Sequence, residues 1–227
     1  GMQIEIWSDI VCPFCYVGKA AMAQALQGFE HADEVTVVGR SFELDPTADG
    51  SSQGPIDEML ARKYGMSRQD AAAQNDRIAD LAAQYGLEFN WRIMQTSGTR
   101  DAHRLLALAD TLGKRRDAED RFMRAYFVEG RCVGDHETLR ELSAEVGLPS
   151  DRVDAVLASD EFGDVVGGQE GAAKGMGVNG VPFFLLDEQY AFSGAQPVSV
   201  MSQVLDQVWR ETHANPTTVD APTAEQA

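Results

Sequence analysis

The chain reads as an α/β fold in which a β-α-β opening and a β-β-α close are separated by a large all-helical insertion. Three observations predict it. Short β-rich runs lie near the two ends, and every periodic segment between residues 55 and 177 repeats at helical spacing. Cys12-Pro13-Phe14-Cys15 stands where the first strand gives way to the first helix. Two thiols three positions apart at the first turn of a helix can close into a disulfide, and the helix end favours one of them as thiolate.

Gln3 to Trp7 is a short β-rich run, and from Cys15 the residues Met22, Leu26 and Phe29 recur at helical spacing. Val35 to Phe42 is β-branched and nearly continuous in apolar or small residues, as a buried parallel strand is, and it stops near Asp45-Pro46. Seven helical segments follow. The first starts at Pro55, shows Ile56, Met59, Leu60 and Tyr64 on one face and stops at Gly65. Ser67 begins the second, with Asp70 as a weak capping box, and Gly86 closes it. Leu105, Leu106, Ala109 and Leu112 mark the third, and Phe122 and Tyr126 the fourth. Asp135 caps the fifth, Ser150 is expected to cap the sixth, and Phe162, Val166, Ala173 and Met176 belong to the seventh.

A crossover between parallel strands needs little more than a dozen residues, so these helices form a subdomain of their own. Val181 to Leu186 and Tyr190 to Phe192 then read as a hairpin, and Pro197 opens a last helix with Met201, Leu205, Val208 and Trp209 on one stripe. The expected organisation is a discontinuous α/β domain over 2–54 and 178–211 around a helical subdomain over 55–177. The last inserted helix, 161–177, has the place to return to the α/β domain, and 212–227 has the composition of a disordered tail.

Composition narrows the function classes. A formal charge of −17 argues against nucleic acid, whose binding draws on clustered Lys and Arg. No apolar run approaches a membrane span, and no basic and apolar leader opens the chain, so no membrane partner and a cytoplasmic location are expected. Gly1 before Met2 reads as a remnant of expression. Three cysteines in such a compartment point to chemistry or metal rather than to a structural disulfide framework. No feature sets an oligomeric state.

Cys12 is the expected nucleophile, because unpaired N–H groups and the helix dipole meet it, and Cys15, one turn on, is the resolving thiol. The dipole supplies about 0.3–1 kcal/mol, whereas lowering a thiol pKa by two units needs roughly 2.7 kcal/mol. Hydrogen bonds to the Cys12 sulfur must supply the remainder. Pro13, with φ preset and no N–H, suits the first helical position, and Phe14 offers an apolar contact.

The order of elements, with Ser8 to Lys19 around the dithiol, Thr99-Arg100-Asp101-Ala102-His103-Arg104, and Gly177-Val178-Asn179-Gly180-Val181-Pro182-Phe183, resembles the DsbA family of the thioredoxin superfamily. Within it the chain looks like the cytosolic, FrnE-like branch of dithiol-disulfide isomerases. The resemblance implies a thioredoxin-like fold and a thiol:disulfide oxidoreductase or isomerase working through a mixed disulfide. It implies no cofactor beyond the redox-active disulfide, glutathione as an electron donor, and a disulfide-bearing protein or small thiol as partner. It also implies a cis bond at Val181-Pro182 set beside the dithiol, with the Val181 backbone pairing to substrate. By sequence alone that proline is an ordinary first residue of a strand.

His103 lies in a region that caps the dithiol in such proteins and suits proton transfer; the alternative is a histidine hydrogen-bonded between helices. Asp9, three residues before Cys12, is either a buried proton acceptor or a turn-stabilising carboxylate. Cys132 reads as an unreactive, partly buried thiol between helices. Two rival classes share parts of the pattern. Kappa-class glutathione transferases and 2-hydroxychromene-2-carboxylate isomerases have this architecture with serine where Cys12 stands. A zinc-binding or chaperone-like module would use the dithiol as half a metal site, but no paired second half follows, and no metal is expected.

Overall fold

The structure, a computed structural model, describes residues 1–214. Its sheet has four strands among the described residues, β1 (Met2–Ser8), β2 (Val35–Ser41), β3 (Phe183–Leu186) and β4 (Tyr190–Ser193), in the order β2-β1-β3-β4. β1 runs parallel to β2 and antiparallel to β3, and β3 and β4 form the hairpin. The registers Ile6↔Gly39 and Trp7↔Phe183 put β1 inside the sheet, which is why six of its seven residues are buried. The α1 (Pro13–Gln27) and α9 (Val198–Thr212) helices cover one face, where Ala21, Met22 and Ala25 meet Met201, Leu205, Val208, Ile4, Ile6 and Phe184.

Between β2 and β3 stand α2 (Ile56–Tyr64), α3 (Arg68–Ala83), α4 (Arg100–Thr111), α5 (Arg115–Phe127), α6 (His136–Glu145), α7 (Ser150–Leu157) and α8 (Gly163–Gly175). They enclose a second core around Leu105, Phe122, Tyr126, Phe127, Leu139 and Leu142. That core reaches Ile10, Cys12, Cys15 and Val17, so the dithiol turn is packed into the helical layer. Tyr16 reinforces the contact: its ring stacks on Phe127 at 4.3 Å and its hydroxyl donates to the Glu88 carbonyl. The α8 helix closes the remaining face of the sheet. Ala173 packs with Trp7 and Phe42, the Trp7 indole donates to the Gln169 carbonyl, and the Gln169 side chain accepts from Ser41 N.

Several boundaries differ from the sequence reading, each for a local reason. The α1 helix begins at Pro13, so Cys12 is its N-cap and Phe29 lies beyond its end. Pro149 occupies the N-cap of α7 in extended conformation, leaving Ser150 as the first helical residue rather than the cap. Val181 and Pro182 precede β3 instead of opening it. Thr212 still belongs to α9, where its hydroxyl bonds back to the Val208 carbonyl, and the rest of the expected tail, 215–227, lies outside the described residues. No helix among the described residues is long and apolar enough to cross a membrane.

Candidate active site

Cys12 sits at the carboxyl end of β1 as the N-cap of α1, with extended φ and ψ of −86° and 116°. Its N–H donates to the Asp9 carbonyl at 3.2 Å, which closes the turn, and its carbonyl accepts from Cys15 N and Tyr16 N, both at 3.1 Å. Both thiols are free and buried, Cys12 at 5% exposure and Cys15 at 0%. The Cys12 thiol points across the turn to the Val181 carbonyl, 3.7 Å from Sγ. Val181-Pro182 is a cis peptide. Gly18 makes room for this proline: a Cβ there would stand 3.0 Å from Pro182 Cγ and 3.5 Å from Ala195 Cα. Pro182 is buried, and its carbonyl accepts from Gly194 N at 2.9 Å.

The two thiols are driven in opposite directions. A hydrogen bond from the Cys15 thiol, reinforced by the N–H groups of Cys15 and Phe14, holds Cys12 below the ordinary cysteine range against the opposing effects of burial and the Asp9 charge. Burial pushes Cys15 well above that range, and its bond to Cys12 and the Cys12 charge push the same way. Loss of a proton from the pair therefore favours the outer sulfur, Cys12, while Cys15 keeps its own.

Asp9 is buried at 1% and receives four donors. Ile10 N and Leu44 N reach it at 2.8 and 2.9 Å, the Thr99 hydroxyl at 2.7 Å and His103 Nε2 at 3.0 Å. His103, also at 1%, places Nδ1 2.8 Å from Ser41 Oγ, which in turn accepts from Arg115 Nη2 at 3.1 Å. These partners assign the tautomer: Nε2–H donates to Asp9, and Nδ1 accepts from Ser41. His103 thus ties the first turn of α4 to the ends of β1 and β2. This is neither a lid over the thiols nor a bond between two helices. Asp9 does fix its own turn, and it also gathers the Leu44 loop and α4 around the dithiol.

Pro13 is half-buried at the first position of α1, and Phe14 is exposed at 43%. Cys132 is half-buried in the loop after α5, its thiol directed at the Gly50 carbonyl 3.6 Å away, so its neighbour is a loop rather than a helix pair. Ser41, Thr99, Arg115 and Leu44 complete the network without having been singled out by sequence. Only Thr99 carried a signal, as the first residue of the Thr99–Arg104 motif. Among the described residues no cluster of three or more His, Cys, Asp or Glu side chains stands ready to hold a metal ion.

The deciding comparison is with protein families: residues 3–206 match the DSBA-like thioredoxin domain. The chain belongs to that family. A probable DsbA oxidoreductase from Streptomyces coelicolor shares 44% identity at a TM-score of 0.90, with 95% of this chain and 92% of that one covered. The likeness to the cytosolic disulfide reductase DsbM of Pseudomonas aeruginosa, solved with glutathione, is one of fold, at 19% identity and TM-score 0.60 over 91% and 98% of the two chains. So is the likeness to a 2-hydroxychromene-2-carboxylate isomerase, at 16% identity and TM-score 0.65 over 92% and 97%. This member of the DsbA family keeps sulfur at both positions of its helix N-terminus.

Proposed function

We propose that the protein is a cytoplasmic thiol:disulfide oxidoreductase or isomerase, of the FrnE-like kind, in which Cys12 attacks and Cys15 resolves. The observation that carries this reading is the placement of two free thiols at the start of α1, Cys12 as its N-cap with Sγ 3.7 Å from the Val181 carbonyl of the cis Val181-Pro182 bond and Cys15 buried behind it; the opposite pull on the two thiols supports it. The Cys12 thiolate attacks a substrate disulfide, forming a mixed disulfide and releasing one substrate thiolate. Cys12 then no longer carries charge, so two of the effects that raised Cys15, its bond to Cys12 and the Cys12 charge, vanish together. Cys15 gives its proton to the departing thiolate or to water and attacks Cys12 Sγ, closing the Cys12–Cys15 disulfide and freeing the second substrate thiol.

The Val181 carbonyl beside Cys12 supports backbone pairing to an extended substrate segment, with Pro182 and Phe14 as apolar flanks. Asp9, His103 and Pro13 act through the shape of the turn. Glutathione is the proposed electron donor, and no further cofactor is invoked. Insulin reduction and refolding of a scrambled disulfide protein test the reading. Cys12→Ser is expected to abolish both activities, and a variant with undiminished activity sinks the proposal.

A further inference from the structure

A cavity of about 430 Å³ adjoins the dithiol turn, well within the range of small-molecule sites. Val11, Pro13 and Phe14, the neighbours of Cys12 in sequence, line it, and so do Met59, Met66 and Ile78 of the α2–α3 region. Three of the seven large apolar side chains exposed in the described residues belong to its lining: Phe14 at 43%, Leu44 at 48% and Tyr64 at 63%. Apolar lining on the turn that carries Cys12 has a cost in water that a ligand relieves. Thioether side chains on flexible stems fit flat or irregular apolar bodies.

Charge narrows the ligand further. The acidic groups in the lining are Asp9 and Asp45, and Lys63, the one cation there among the described residues, already lies 3.5 Å from Asp45 Oδ2. No spare positive charge waits for a carboxylate, and the chain carries −17 overall. Glutathione disulfide, with more carboxylates than amines, is poorly matched to such walls.

We infer that this cavity is a specificity pocket for the uncharged, apolar portion of a low-molecular-weight disulfide, an aromatic disulfide in particular. The inference rests on the thiol-exchange reading above. The Cys12 thiolate attacks the sulfur bearing the seated group, R–S–S–R′, giving Cys12–S–S–R and R′S⁻. Cys15 then displaces RS⁻, so the substrate gains two electrons and the enzyme leaves as its disulfide. An external thiol returns the dithiol by two further exchanges. Polypeptide substrates would instead lie along Val181, outside this cavity.

The test compares the full chain with Met59→Trp and Met66→Trp, both at half-buried positions where a larger ring can be accommodated. Protein reduced beforehand and freed of reductant is mixed in stopped flow with 4,4′-dithiodipyridine, glutathione disulfide or insulin, and the second-order rate of Cys12 oxidation is measured. Binding of the uncharged, non-reactive fluorophore N-phenyl-1-naphthylamine is measured on the oxidised protein. The expected result is a tenfold or larger fall in the second-order rate for dithiodipyridine, with glutathione disulfide and insulin within twofold, and loss of fluorophore binding in both variants. An unchanged dithiodipyridine rate and unchanged fluorophore binding overturn the pocket and leave the exchange reading standing. A wild-type chain that reacts with none of the three disulfides overturns the exchange reading, and this assignment with it.

Discussion

Removing the Cys15 thiol tests the chemistry of the turn at its source. In the reduced protein the largest effect lowering Cys12 is the hydrogen bond from Cys15, and Cys15 is wholly buried, so water cannot replace the bond. A hydrogen bond to a charged group contributes about 1.5–3 kcal/mol, which corresponds to roughly 1–2 pKa units. Cys15→Ala is therefore expected to raise the Cys12 titration midpoint by about that amount, leaving the smaller share of the helix end, about 0.3–1 kcal/mol, in place. Cys15→Ser, which keeps an O–H donor, restores most of the lost depression. The assay is thiolate absorbance at 240 nm against pH in a Cys132→Ser background, with iodoacetamide alkylation of Cys12 as a second readout. At pH below both midpoints alkylation falls roughly tenfold to a hundredfold in Cys15→Ala, less the part recovered by the greater nucleophilicity of a more basic thiolate, and the difference closes as pH rises past them. A midpoint that moves by less than about half a unit, or equally in the Ala and Ser variants, refutes the hydrogen bond as the cause of the activation.

Three further outcomes follow from the geometry. Asp9→Ala strips the acceptor from four donors in a site of 1% exposure. At about 1–3 kcal/mol for each buried group left unpaired, urea unfolding should show a loss of several kcal/mol, and a loss under about 1 kcal/mol contradicts the network. Gly18→Val drives a branched side chain into Pro182, where a bare Cβ already reaches 3.0 Å, so about 1–3 kcal/mol of stability and part of the exchange rate should go together. Wild-type melting temperature and rate in that variant would show that the proline turn yields freely. Glu43 is buried, and burial together with the facing Glu170 carboxyl raises its pKa to about 8, against the pull of Arg100. Because the folded value lies above the unfolded one, its stabilising effect is complete below about pH 4.3 and lost as pH rises toward 8, on the order of a few kcal/mol. Glu43→Gln should then gain stability relative to wild type between pH 5 and 8, and a pH-independent difference rules out the retained proton.

Short-range chemistry made much of this legible in advance. Pro13 and the Cys-x-x-Cys spacing marked the junction of β1 and α1, and apolar stripes such as Leu139 and Leu142 marked the helices of the insertion. Contacts made only in the folded chain stayed hidden. Ser41 is an unremarkable strand residue until α4 brings His103 and α5 brings Arg115 to its hydroxyl, from 62 and 74 positions away. Tyr126 fits an apolar stripe of α5, and nothing in its periodicity shows that it also borders the cavity beside the dithiol. Glu43 and Glu170 meet only because α8 folds back onto the end of β2, held there by Gln169. His103 stands out in the sequence, but its place does not: its first helical turn faces the sheet's end, and its partners there are Asp9 and Ser41.

Trapping the intermediate tests the central claim most directly. Cys15→Ser protein, incubated with glutathione disulfide and separately with insulin, is digested without reductant and mapped by mass spectrometry. A mixed disulfide on Cys12 with both substrates, absent from the Cys12→Ser, Cys15→Ser double variant, is the predicted result. Adducts confined to Cys132, or no adduct on Cys12, contradict it.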